Sequence, residues 1–297
     1  NECVGIPTET VYGLAANAYS KKATSKIFKL KNRPKKNPLI VHYFNIEMLK
    51  KDCQVNHNFF KLYKKFCPGP ITFVLKLKKI NSIAKHVTNN KKTLAVRFPR
   101  HPLTRKLLKS IKYPLAAPSA NISSRISPVT KADVIDEFGK KIKYVLDGGT
   151  SKIGMESTIV SLINRPKILR LGGIELVKIN QVLKTNLKFN MKKKEIISPG
   201  QEKIHYSPGI PVRLNIKKPK VDEAFILIKK RKSYDRNFYY LTKRKDLKEA
   251  AKKLYKTLRM IKKKNYKSIA VEKIPSTGFG QAINDRLVRA SKFKWKI

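Results

Sequence analysis

Phe28–His42 reads FKLKNRPKKNPLIVH. It places Lys29, Lys31, Arg33, Lys35 and Lys36 within eight residues and then turns apolar at Leu39-Ile40-Val41. Pro34 and Pro38 interrupt the basic run. A proline fixes its own φ and pushes the residue before it out of the helical region. The stretch therefore predicts a helix that stops near Lys31, then a stiff basic loop, then a short buried strand from about Leu39. A basic loop at the mouth of a sheet can hold a polyphosphate with several cations at once. The plainer reading is a solvated lysine-rich turn, and so short a motif does not decide between the two.

On the N-terminal side, Val4-Gly5-Ile6-Pro7 reads as the end of a buried strand. It leads into Thr8-Glu9-Thr10-Val11-Tyr12-Gly13-Leu14, where Thr8 or Thr10 can cap a helix, with Glu9 near its positive end, or face a ligand. Tyr12 fits a core position equally well.

Beyond the loop, Pro68-Gly69-Pro70 turns into a strand over Ile71–Leu77, and Thr93–Pro99 forms another, ended by its proline. Arg97 alternates with apolar neighbours and projects from one sheet face, either paired or reaching for a carboxylate. With few acids nearby in sequence, the ligand is favoured. A short amphipathic helix over Leu103–Ile111 precedes Leu115–Ser123, a strand running into the small polar turn APSAN. Small residues there allow close backbone approach, and Ser119 and Asn121 can hydrogen-bond a ligand, although an ordinary Ser/Asn turn looks the same. Ser127-Pro128, Thr130 and Asp133 start a helix ending at Gly139. Strands follow at Tyr144–Leu146, Ser157–Leu162 and Ile168–Leu171. Many strands with few helices make this an α/β or α+β sheet, not a bundle.

Around Lys184–Lys194 the pattern turns basic and irregular, and Ser198–Pro211 is a linker rich in proline and glycine. Further on come strands at Ala224–Ile228, Phe238–Leu241 and Ser268–Val271. A helix carries Leu247, Ala251, Leu254, Leu258 and Ile261 on one face, and a short helix spans Ile283–Ala290. This is a small βαβ-type unit. Gly278-Phe279-Gly280 opens like a dinucleotide turn, but Ile283 stands where the third glycine belongs, so no dinucleotide site is expected.

The 297 residues carry a net charge of +49 with 41% hydrophobic content, enough for real cores. Lysine decorates both halves, so most of the excess is compositional. Even so, Cys53–Ala132 contains no Asp or Glu, and that span should lay a positive field over any cleft it lines. Three scattered cysteines without CxxC spacing and five dispersed histidines point away from disulfides and zinc, which suits a reducing cytosol. No apolar run reaches membrane-spanning length and no signal peptide is visible, so a cytoplasmic, non-membrane protein is expected. The chain opens on Asn1 close to a strand, and residues upstream are expected.

As an ordered set, PTETVYGL, KxRPxxNPLIVH, PGP-ITFVL, VRFP, APSAN, GGxS…ESTIV and LRLGG resemble the YrdC-like domain of threonylcarbamoyl-AMP synthases, from Val4 to about Gly173. PGQxxxHYSP and GFGQAINDRLVRA resemble the two-domain long form of that family. Two departures are the missing helix and Gly-rich turn ahead of the first strand and the short terminal domain. The resemblance implies an α/β fold: a YrdC-like twisted mixed sheet with helices over residues 1–190, a linker or lid over 191–212, and a small Rossmann-like α/β domain over 213–297.

It also implies a nucleotidyltransferase reaction. L-threonine, bicarbonate and ATP would give L-threonylcarbamoyl-AMP and pyrophosphate. The product would pass to a tRNA-modifying transferase complex that acts on the adenosine beside the anticodon. No covalent nucleophile is implied. By similarity, Thr10, His42, Arg97 and Ser157 would hold threonine. Lys31, Arg33, Asn37, Thr93, Ser119, Asn121, Ser127, Arg170 and Tyr206 would contact ATP. Mg2+ would accompany ATP, with no evident protein ligands, since Glu9, Asp147 and Glu156 are the only acids near these motifs. Two rivals stand beside this reading: a double-stranded RNA- or tRNA-binding module and a non-catalytic relative. A backbone binder needs neither the neutral APSAN turn nor buried Thr10 and Ser157, and any nucleic-acid binding should be weak and unspecific. Arg33, Arg97 and Ser119 together argue against the second.

Overall fold

The structure, a computed structural model, describes residues 2–190, 204–231 and 235–292. Around the basic loop the sequence folds as its punctuation dictates. Helix α1 (Lys21–Lys31) starts on the Ser20 side chain and stops at Asn32, which takes a left-handed φ of 48° and donates its N–H back into the last turn. The stop thus belongs to Asn32 as much as to Pro34, since asparagine tolerates the left-handed conformation that ends a helix. Strand β3 (Ile40–His42) follows, wholly buried. Lys31 and Arg33 are buried while Lys29, Lys35 and Lys36 are exposed, so the loop is half scaffold and half solvated turn.

Nine strands among the described residues form the larger sheet. Those ahead of the site are β1 (Val4–Ile6), β2 (Gly13–Asn17), β4 (Ile71–Lys76), β5 (Thr93–Arg97) and β6 (Leu115–Ala116). With β7 (Tyr144–Val145), β8 (Thr158–Ser161) and β9 (Lys167–Arg170) the order is β7-β1-β2-β6-β3-β5-β4-β8-β9. The sheet is mixed: β1–β7, β3–β5 and β4–β8 are parallel and the remaining pairs antiparallel. Its register sets His42 opposite Arg97 and Arg97 opposite Thr72, which puts the three side chains in one row on one face.

Helices α2 (Ile46–Asp52) and α3 (His57–Phe66) begin on Asn45 and Asn56, whose side chains accept from the N–H of Met48 and Phe59. α4 (Pro102–Ser110) and α5 (Lys131–Phe138) follow the sequence reading. α5 carries a capping box between Thr130 and Asp133 and ends at Gly139. The helix-cap reading of Thr8 and Thr10 is corrected, because β2 follows them rather than a helix. Thr8 Oγ1 instead accepts from the N–H of Thr10 (3.2 Å) and Val11 (3.3 Å), which folds a tight turn.

After α6 (Leu176–Leu183), a second, all-parallel sheet runs in the order β10-β13-β11-β12. It is built from β10 (Val212–Leu214), β11 (Glu223–Lys229), β12 (Phe238–Thr242) and β13 (Ser268–Val271), with α7 (Leu247–Lys262) and α8 (Phe279–Ser291) packed together beside it. Residues 191–203 of the expected linker lie outside the described residues. We call the parts built on the two sheets the first and second domains. Their seam is tight: a side chain at Gly154, whose φ is +72°, would meet the backbone of Lys252 in α7 at 2.3 Å. At the start of α8, a Cβ on Gly280 would strike the Pro275 carbonyl, and the Glu175 carboxylate sits against Gly278. Close packing explains these glycines without a phosphate.

Candidate active site

Of that row, His42 and Arg97 form the floor of a cavity. The Thr8–Gly13 turn walls one side, the Ala117–Ser119 turn another, and His205 and Tyr206 close it from above. Eight of the thirteen residues expected at the site line this cavity: Thr10, His42, Arg97, Ser157, Arg33, Ser119, Arg170 and Tyr206. Residues from six separate segments of chain therefore meet here.

At the floor, Thr10 is fully buried and Thr8 Oγ1 lies 2.7 Å from its hydroxyl. Arg97 is paired, contrary to the expectation that acids were too few. Its Nη2 lies 2.7 Å from Glu9 Oε1, and both side chains are almost wholly buried. Glu9 Oε2 also accepts the Arg100 N–H at 2.9 Å. Burial would raise the Glu9 carboxyl, but Arg97 beside it brings the net pKa below the usual value. The Arg97 Nε and the His42 Nδ1 are buried without a partner among the described residues, so each can serve a bound molecule. Burial, and then the Arg97 charge, push His42 down to about 3, so the imidazole is neutral at ordinary pH.

Above the floor, Arg170 donates from Nε to the Ser157 carbonyl (3.0 Å) and from Nη2 to Ser157 Oγ (3.1 Å), while Thr72 Oγ1 lies 2.7 Å from the same hydroxyl. Gly172 makes this approach possible, since a Cβ there would strike the Glu156 carbonyl at 2.2 Å. Arg33 donates to the carbonyls of Asn37 (3.1 Å) and Pro38 (2.8 Å), which aims the basic loop at the cavity. Tyr12 lines the wall and clamps the Gly148-Gly149 turn, its hydroxyl donating to Gly149 and accepting from Gly148.

Five expected residues do not line the wall. Lys31 stands behind it, its Nζ donating to the carbonyls of Ser119 and Asn121 and so shaping the APSAN turn. Asn121 braces the same turn through the carbonyls of Ile122 (2.7 Å) and Arg125 (2.9 Å). Ser127 donates to Glu156 Oε1 at 2.6 Å. Asn37 is fully buried with neither side-chain polar atom partnered, and Thr93 sits opposite Lys76 at the far end of β5 from Arg97.

The sequence reading assigned no site role to Glu156 or His205. Glu156 accepts from Ser127, from the Tyr255 hydroxyl (2.8 Å to Oε2) and from Arg286 Nε (3.2 Å) and Nη2 (3.1 Å). Burial would raise this carboxyl, but Arg286 and then Arg170 bring it down to about 2. Tyr255 and Arg286 come from α7 and α8; Arg286 lies inside the GFGQAINDRLVRA stretch, which marked the segment but not the partner of this side chain. His205 is held neutral, near 3, by burial, with Arg33, Lys31 and Arg170 opposing a further charge. Tyr206, with a left-handed φ of 65°, lies stacked on Tyr255 at 5.8 Å, and the Arg286 guanidinium stands 5.3 Å from its ring centre.

Among the described residues no group of three His, Cys, Asp or Glu side chains forms. The oxygens of Glu9 and Glu156 are already taken by protein donors, so these residues do not fit a resident Mg2+ site.

Fold and site define a two-domain α/β protein with an arginine-lined pocket on its mixed sheet. Residues 1–172 match the Sua5–YciO–YrdC family, described as telomere recombination, and residues 174–292 match the threonylcarbamoyl-AMP synthase C-terminal domain. The chain belongs to the Sua5–YciO–YrdC family, in the form that carries this second domain. It is 34% identical to the threonylcarbamoyl-AMP synthase of Pyrococcus abyssi over 313 residues, covering 98% of this chain and 91% of that protein. The Bacillus subtilis threonylcarbamoyl-AMP synthase is also 34% identical, with coverages of 98% and 90%. The crystal structure of P. abyssi Sua5 complexed with L-threonine superposes with a TM-score of 0.88 at 33% identity, covering 98% of this chain and 90% of that one. No helix among the described residues is long and apolar enough to cross a membrane.

Proposed function

We propose that the chain is a nucleotidyltransferase that makes L-threonylcarbamoyl-AMP from L-threonine, bicarbonate and ATP, releasing pyrophosphate, for threonylcarbamoyl modification of the tRNA adenosine beside the anticodon. One observation carries the reading: a single cavity joins a floor of Thr10, His42 and Arg97 to a wall of Arg33, Ser119 and Arg170. The floor suits a small amino acid, with the Arg97 Nε open to its carboxylate. The wall suits a triphosphate.

In the reaction, the neutral threonine amine attacks carbon dioxide to give a carbamate and a proton, or bicarbonate to give the carbamate and water. A carbamate oxygen then attacks the α-phosphorus of ATP, the bond to the β-phosphate oxygen breaks, and pyrophosphate leaves. Positioning and charge stabilisation supply the catalysis, with Arg33 and Arg170 facing the charge that builds on the phosphates. Thr10, His42, Arg97 and Ser157 are the threonine side. Tyr206 shields the mixed anhydride from water. Lys31, Asn121 and Ser127 act behind the wall, and Asn37 and Thr93 remain outside it. Mg2+ enters only as the counterion of ATP, and the product passes to a downstream tRNA-modifying complex in the cytoplasm. Mass spectrometry of the products tests the reading: labelled bicarbonate carbon should appear in a threonine-bearing adenylate, and its appearance in no nucleotide product would refute it.

A further inference from the structure

We infer that Arg286 is a positioning residue of the nucleotide site. Reaching Glu156 from the second domain together with Tyr255, it neutralises the carboxylate on the pocket wall, so that the wall presents a net positive face to the triphosphate. This rests on the nucleotide reading above.

Glu156 is the one acidic residue lining the pocket among the described residues, and it shares that wall with Arg33 and Arg170. A bare carboxylate there would repel phosphate and draw the neighbouring guanidiniums to itself. The second domain prevents this without lining the pocket, since no described residue beyond Tyr206 does so. Arg286 is held for the task. Its Nη1 is fixed by Asp285 at 2.9 Å, and its Nε and Nη2 face Glu156 Oε2 at 3.2 and 3.1 Å. Asp285 is fixed in turn by Arg289 Nε at 3.0 Å. Tyr255 adds its hydroxyl to both Glu156 oxygens, at 3.1 and 2.8 Å. Tyr206 lies between the rings and charges of the same two residues, so one contact sets both the wall charge and the cover. Lysine cannot hold this planar fork. Domain docking therefore becomes a condition for tight ATP binding, while the threonine floor, built wholly from the first domain, is indifferent to it.

Calorimetric titration with ATP and, separately, with L-threonine tests this on the full chain. Arg286→Met should weaken ATP binding by about tenfold or more, with threonine affinity within about twofold of the wild type. Adding Glu156→Gln to Arg286→Met removes the orphaned charge and should restore most of the ATP affinity. Tyr255→Phe should weaken ATP by about threefold. Wild-type ATP affinity in Arg286→Met, equal loss of both ligands, or a double variant no better than the single would each overturn the inference. Should Arg286→Met not fold, Tyr255→Phe decides alone, and unchanged ATP affinity overturns it. Failure of the wild-type chain to bind ATP would instead fail the nucleotide reading, and this inference with it.

Discussion

Arg97 has two claims on one guanidinium. Glu9 already holds its Nη2, and the proposed threonine carboxylate is left the Nε. Removing Arg97 outright would strand a buried carboxylate at a cost of about 3 kcal/mol or more, so the informative change keeps the charge. Arg97→Lys loses the planar fork, and we expect threonine affinity to fall about tenfold with ATP affinity nearly intact. Arg33→Ala should do the reverse. Calorimetry on both variants decides, and equal loss of both ligands in both would contradict the division of labour. Three buried groups also set the acid stability. His42 and His205 sit near 3 in the folded chain against an ordinary 6.5, so the unfolded chain binds their protons first. Their contribution is whole above pH 6.5 and is lost as pH falls toward 3, at up to about 1.4 kcal/mol per pH unit each. Glu156, near 2 against 4.5, contributes above 4.5 and loses that as pH falls toward 2. Denaturant midpoints should therefore drop between pH 7 and pH 5, and a flat profile would contradict neutral burial of the two imidazoles. At this scale the sequence revealed which side chains meet the cavity better than which side chains hold one another. The acid-free span Cys53–Ala132 hid the partner of Arg97 because Glu9 arrives from a turn 88 residues away. Tyr255 and Arg286 were hidden for the same reason, since their partner lies 99 and 130 residues back along the chain.

The segment Ile204–Pro208 is the element whose behaviour matters most. Ser207 donates its N–H to the Ser124 carbonyl at 2.8 Å and forms a bridge with Arg125, which seats the segment on the rim of the first domain. A tyrosine at φ 65° is a costly conformation that only its surroundings sustain, here Tyr255 and Arg286. If the segment is a lid, Tyr206→Ala should weaken ATP binding or raise ATP hydrolysis uncoupled from product. Limited proteolysis near Lys203 should also slow when threonine and ATP are both present. Unchanged kinetics with ligand-independent cleavage would make it a spacer. The inner strands were legible because buried β-runs announce themselves, as in Ile71–Lys76, whose first five residues are all buried. Helices α2, α3 and α6 were not read from the sequence; the asparagine caps of α2 and α3 were a signal that could have found those two.

For the whole molecule, the charge of +49 is spread over both domains, and some of it is spent inside the protein rather than on its surface. Arg259 of α7 crosses the seam to the Ile126 carbonyl (2.6 Å) and to Glu137 (3.1 Å), and Arg286 crosses it to Glu156. Such buried pairs break at a cost of several kcal/mol when one partner is lost, so the two domains act as one unit around the cavity. A second domain was legible in the basic, irregular pattern around Lys184–Lys194 and the linker after it, but the seam was not, because it is made of single long-range contacts that leave no local mark. The central claim is that one cavity joins threonine to ATP through a carbamate. Pyrophosphate release, followed with the purified chain while threonine, bicarbonate and ATP are each omitted in turn, tests it most directly. The account predicts release only when all three are present, and release that is equally fast without threonine would contradict it.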